Sequence, residues 1–118
     1  MHLKSIAVAT GLLVLATGAQ AQGLDKASWI KGFRPVMTDM FCKNPLIQKC
    51  FKVSQQKCLE VIGQTTDSCL RKFDSSLPAF FQMPADGRKW GRDVGQCAGD
   101  EFESVLIADK VKGGECGP

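Results

Sequence analysis

Residues 54–73 read SQQKCLEVIGQTTDSCLRKF, and this stretch decides the fold. Laid out at about 100° per residue, Cys58, Ile62, Thr65, Thr66, Cys69 and Phe73 fall on one face. Lys57, Glu60, Gln64, Asp67 and Arg71 fall on the other. Ser54 stands where a hydroxyl can accept from the free amides of a first helical turn. Asp67 precedes Arg71 by four residues, the favourable orientation for an ion pair along a helix. A helix over 55–73 therefore carries two cysteines, eleven residues apart, into the core.

The flanking segments repeat the pattern. Over residues 25–41, Trp29, Phe33, Val36, Met37 and Met40 recur at helical spacing, with Asp25 or Ser28 as cap. Pro35 has no amide hydrogen, so the segment is expected as one kinked helix or two short ones. Asn44-Pro45 pairs a cap with a first-turn proline and opens a short helix ending near Phe51. Asp74-Ser75-Ser76, Pro78 and Pro84 interrupt helix. Between them lies the apolar, non-helical run Leu77 to Met83. A last helix is expected over about 85–109. Trp90, Val94, Cys97, Ala98, Phe102 and Val105 form its apolar face, and Lys89, Gln96, Asp100 and Glu103 its wet face. The glycine-rich end, Lys112 to Pro118, cannot hold a helix and is expected to be tied down by Cys116. No segment alternates as a strand would. The prediction is all-α: a small disulfide-stapled bundle of about four helices.

The N-terminus reads as a cleaved signal peptide over residues 1–21. Lys4 supplies the positive region, and Ile6 to Leu15 is an apolar run of about ten residues. Ala19-Gln20-Ala21 offers the small residues of a cleavage site. A retained membrane helix needs roughly 20 apolar residues, and Thr10, Gly11, Thr17, Gly18 and Gln20 break this run. A lipoprotein needs a cysteine at the cut, and the first is Cys42. Residues 22–118 are then one helical, disulfide-bonded domain, periplasmic or secreted.

All six cysteines lie in that domain: Cys42, Cys50, Cys58, Cys69, Cys97 and Cys116. An even count outside the cytoplasm points to three bridges that complete a marginal core. No Cys-x-x-Cys occurs, which argues against zinc and against a thioredoxin-like site. If Cys50 and Cys58 flank a helical hairpin about Ser54, Cys42 and Cys69 nest outside them. Cys97 is then left to Cys116. The expected pairing is thus 42–69, 50–58 and 97–116.

The single histidine, His2, lies in the leader, and there is no tyrosine. Without imidazole, Ser-His-Asp and Cys-His designs and haem attachment through Cys-x-x-Cys-His are excluded. Glu101 and Glu103 diverge by about 200° on a helix and cannot converge on one glycosidic bond. Net charge is +3, and loss of Lys4 lowers it to +2. The cations are scattered among acids rather than gathered in a stripe, so no nucleic acid is expected. No enzyme, metal or cofactor is expected.

Two features point to binding. Gly87, Gly91, Gly95 and Gly99 form a ridge on the last helix. It permits close packing within the chain, or docking of a partner or second copy, including a homodimer. The run Leu77 to Met83 either closes the core as a lid or exposes an apolar patch. Phe80, Phe81 and Met83, with Arg88 and Arg92 at the start of the last helix, are the candidate partner-binding residues. Trp29 and Trp90 are expected in the core. The function expected is an exported, non-enzymatic protein-binding module. Its most concrete form is an immunity- or inhibitor-type protein acting on another envelope or periplasmic protein, without stable membrane insertion after cleavage. The alternative is a carrier whose cavity holds a lipid or small apolar ligand among Phe41, Phe51, Phe73, Phe80, Phe81 and Phe102.

Overall fold

A computed structural model describes residues 23–118. The signal peptide expected over 1–21 lies outside the described residues. A short strand β1 (Gly23–Asp25) leads into helix α1 (Lys26–Lys43). Helices α2 (Pro45–Cys50) and α3 (Gln55–Phe73) follow, then strand β2 (Phe80–Gln82) and helix α4 (Ala85–Val105). Two 3-10 turns, Ile107–Asp109 and Gly114–Cys116, end the chain. The protein is a small, disulfide-stapled helical bundle.

Local chemistry explains the helix starts. Asp25 accepts from the Ser28 amide at 2.6 Å, Asn44 from Leu46 at 2.9 Å and Ser54 from Lys57 at 3.0 Å. α4 has no side-chain cap of its own. Asp86 in its first turn instead accepts from the Gln82 amide at 2.7 Å, fastening β2 to the helix. α1 runs unbroken through Pro35. The Lys31 carbonyl that loses its donor there faces solvent with the exposed Lys31 and Pro35, where water can satisfy it.

α3 runs antiparallel to α1: Lys26 pairs with Asp74, Arg34 with Asp67, and Cys42 with Cys58. It also packs along α4, where Thr65 Oγ1 donates to the Ala98 carbonyl at 3.0 Å. α1 and α4 meet in parallel. A Cβ built on Gly91 would sit 3.6 Å from the Phe33 ring, and one on Gly99 3.6 Å from the Phe41 ring. A Cβ on Gly87 would sit 3.7 Å from Trp29 Nε1. The sequence offset is the same in all three pairs, so two ladders with four-residue steps mesh rung by rung. Gly87, Gly91 and Gly99 of the glycine ridge thus serve packing within the chain.

The core lies among α1, α3 and α4, and Phe81, Phe102, Ile62 and Val94 are among its largest fully buried side chains. Trp29 stacks on Phe33 at 4.7 Å and on Phe81 at 4.4 Å between centroids. Phe102 takes Phe41 and Phe51 edge-on at 4.8 and 5.0 Å. Trp90 is only half-buried, with its ring edge-on to Phe73. One buried polar group is orphaned: the Thr66 hydroxyl has no hydrogen-bond partner among the described residues.

Three expectations are corrected. The bridges are Cys42–Cys58, Cys50–Cys116 and Cys69–Cys97, not 42–69, 50–58 and 97–116. The chain leaves α2 extended at Phe51, so α2 and α3 do not form a hairpin that faces Cys50 with Cys58. Cys42 meets the first turn of α3 instead, and the tail returns to α2. There Lys52 N–H donates to the Asp109 carbonyl and Val111 N–H to the Cys50 carbonyl. β1 and β2 pair antiparallel, with Leu24 opposite Phe81, although no strand was expected. Three residues are too few to show alternation. Lastly, α4 stops at Val105, which is exposed, and the chain turns through a 3-10 segment before 109.

Candidate interaction surface

The alternation of β2 divides the residues expected to bind a partner. Phe81 points inward and is 0% exposed, so it is core and unavailable to a partner. Phe80 points outward at 54% exposure, its ring lying over Gly23. Met83 is partly buried, its thioether resting on Gly87. Arg88 and Arg92 are exposed on α4. The loop is therefore mainly a lid: Leu77 and Phe81 close the core, and of its large apolar side chains Phe80 is the exposed one.

The larger apolar surface lies elsewhere, on α1. Val36 is 56% exposed and Met40 67%. With Phe33, Met37, Phe41 and Asn44 they line a shallow groove of about 340 Å³. The cause is local. Val36 and Met40 follow Trp29 by seven and eleven residues along one stripe of α1, each within about 20° of its direction. Phe81 covers Trp29 at one end of the stripe. β2 is too short to cover the rest. Helical spacing marks the stripe as apolar, but it does not reveal how far a neighbour extends along it.

Beside the groove, Gly95 is open. A Cβ built there meets nothing within 4 Å, although Gly91 and Gly99 on either side are filled by rings. By helical geometry Arg88 lies about 20° from Gly95 around α4, and Arg92 about 60°, on the outward side. Neither arginine has an ion-pair partner among the described residues.

The other charged groups that meet are ties between elements. Arg34 grips Asp67 with two parallel bonds, Nε to Oδ1 at 2.6 Å and Nη2 to Oδ2 at 2.9 Å. The hydrogen bonding from that guanidinium holds the Asp67 carboxyl below the usual carboxylate range. Lys72 does the same for Glu101. Lys110 reaches Glu103 at 2.6 Å and Lys49 reaches Glu115 at 2.7 Å. Glu101 and Glu103 thus serve separate pairs. Cys69, Cys97 and Glu101 lie close enough to suggest a metal site, but both sulfurs are joined to each other and offer no thiolate. All six cysteines are bridged. None of the helices described is long and apolar enough to cross a membrane.

No curated protein and no solved structure matches the chain. A family model described as "T2SS substrate NttA" matches residues 23–110, which spans every helix of the bundle and ends just before the tail staple. That match takes in well over half of the sequence, and the chain therefore belongs to the NttA family of T2SS substrates, a family of secreted proteins.

Proposed function

We propose that the protein acts outside the cytoplasm as a non-catalytic, inhibitor-type module that occupies the surface of another protein. The observation that carries this reading is the uncovered apolar stripe of α1, with Val36 and Met40 exposed on a scaffold that three bridges hold rigid. Exposed apolar surface on a small, otherwise well-packed domain is costly to leave in water, and it marks interaction sites. A scaffold restrained in this way loses less entropy when it binds. Membership of a secreted family supports a partner met beyond the inner membrane, in the envelope or outside the cell. It favours an inhibitor over an immunity protein, because an immunity protein protects its own cell only while it is retained.

The carrier reading gains no support from the cavities. Among the described residues, a partly enclosed hollow lined by Cys42, Ile47, Phe51 and Cys58 among others holds only about 60 Å³, and the α1 groove of about 340 Å³ is shallow and open to solvent. Small-molecule sites are typically about 300–1,000 Å³.

The test is chemical cross-linking in culture, followed by recovery of the native, oxidised chain from periplasm and medium. A stoichiometric protein partner is the expected result. Native mass spectra showing a retained lipid and no protein would overturn the reading.

A further inference from the structure

We infer that the open half of the α1 stripe, together with the vacant position at Gly95 of α4, is a docking groove for an amphipathic helix of a partner protein. The inferred helix carries acidic residues along one edge. This rests on the reading as a binding module and supplies its site and the chemistry of its partner.

The length and relief of the groove fit a helix. From Phe33 to Asn44 the stripe runs about 16 Å, or roughly three turns. Its exposed knobs, Val36 and Met40, are four residues apart, and Gly95 leaves a hole between the rings of Phe33 and Phe41. Knobs with that step and a hole beside them suit the ridges of a third helix laid along α1 and α4. The protein already uses this solution at one end. There the apolar side chains of Phe81 and Met83 lie over Trp29 and Gly87. An incoming helix would continue that cover over Val36 and Met40.

Charge selects the occupant. Arg88 and Arg92 border the α4 side, exposed and without ion pairs among the described residues. Their nearest acid along the helix, Asp93, is engaged by Lys89 at 3.0 Å on the side turned away. On α1, Asp39 is engaged by Lys43 at 2.8 Å. The rim is therefore cationic and favours an occupant that brings a carboxylate. A second copy docking by two-fold symmetry would bring the same cationic rim, whose nearby acids Asp39 and Asp93 are already engaged by Lys43 and Lys89. The chain's own residues 1–22 contain Lys4 and no acidic residue, so they do not supply the counter-charge either. An acidic helix from a different protein meets both requirements.

The probe is a synthetic helical 18-residue peptide with leucines at positions i, i+4, i+7 and i+11 and glutamates along one edge. Its twin carries lysines in place of the glutamates. Both are titrated into the oxidised, isotope-labelled chain, with amide and methyl shifts as the readout. The glutamate peptide is expected to shift Val36, Met40 and Gly95. The double variant Arg88→Glu/Arg92→Glu should weaken it about tenfold or more and strengthen the lysine twin. Met40→Asp and Gly95→Leu should each abolish binding while circular dichroism stays unchanged. The inference is overturned if shifts centre elsewhere, if reversing the rim charge has no effect, or if nothing binds by about 1 mM. It is also overturned if sedimentation shows self-association that perturbs the same patch. If the peptide fails while cross-linking still recovers a partner bound at another surface, the groove assignment falls and the binding-module reading stands. If both fail, both fall.

Discussion

Replacing Gly95 by alanine should raise the stability of the folded chain, although it interrupts an apparently regular glycine ridge. The added Cβ meets no heavy atom within 4 Å, and the position is helical and well inside α4. Glycine in a helix interior is disfavoured by about 0.8–1 kcal/mol relative to alanine, partly through the freedom it gives the unfolded chain. Nothing in the folded state opposes that gain at this position, so the midpoint should rise by about 4–8 °C for a domain of this size. The neighbours supply the controls. At Gly91 and Gly99 the new Cβ would make ordinary contacts of 3.6 Å with Phe33 and Phe41, so smaller gains are expected. At Gly87 it would approach the Met83 methyl to 2.6 Å, and the displaced thioether should cancel the gain. Guanidinium unfolding of the oxidised variants, followed by circular dichroism, ranks the four. A loss of stability at Gly95, or a gain at Gly87 exceeding that at Gly95, would refute the ring-on-glycine account of the seam between α1 and α4.

Thr66→Val should stabilise by about 1 kcal/mol, because it replaces an unpaired buried hydroxyl with a methyl of nearly the same shape. Unchanged or lower stability in urea would show that the hydroxyl has a partner. Replacing Cys50 and Cys116 together by alanine should cost about 4 kcal/mol, since that bridge closes a 66-residue separation. Hydrogen exchange should show the loss of protection at Val111 and Lys52, the amides that pin the tail. The Arg34–Asp67 fork makes a pH prediction. Asp67 titrates below its ordinary value of 3.8 when folded, so its contribution is complete above that value. The contribution is lost as pH falls through the lowered folded value. Asp67→Asn should therefore flatten the dependence of the unfolding midpoint on pH below about 4, and an unchanged slope would discount the fork.

Much of the fold was legible because helical spacing and caps are local. α3 and its Ser54 cap, the Asn44-Pro45 start of α2 and the cysteine-bearing faces all stand in the structure as the sequence implies. The bridge pairing was not legible, because it depends on where the chain goes after Phe51 and on a tail that returns to α2. The exposure of Val36 and Met40 was hidden for a related reason: an apolar side chain at helical spacing reads as core whether or not something covers it. In the run Leu77 to Met83, composition marked an apolar segment that could be lid or patch but could not say that Phe81 turns in and Phe80 turns out. The mesh of α1 with α4 did have a signal. Trp29, Phe33 and Phe41 share the four-residue step of Gly87, Gly91 and Gly99, and matching two ladders of equal step across the chain would have predicted a parallel pair.

The placement of the bridges has a mechanical consequence. α1 is sewn to α3 at Cys42, near its last turn, and α3 to α4 at Cys69, but no covalent stitch crosses from α1 to α4. α1 is thus hung like a door on a hinge at one edge, latched along its length by aromatic rings resting on bare backbone. Breathing of the molecule should concentrate at that latch, between the Cys42 hinge and the Lys26 end, where β1 pairs with β2 and Lys26 N–H donates to the Ala79 carbonyl. The softest line in the protein then runs beside the apolar stripe, and thermal opening there would enlarge the slot without unfolding the remainder.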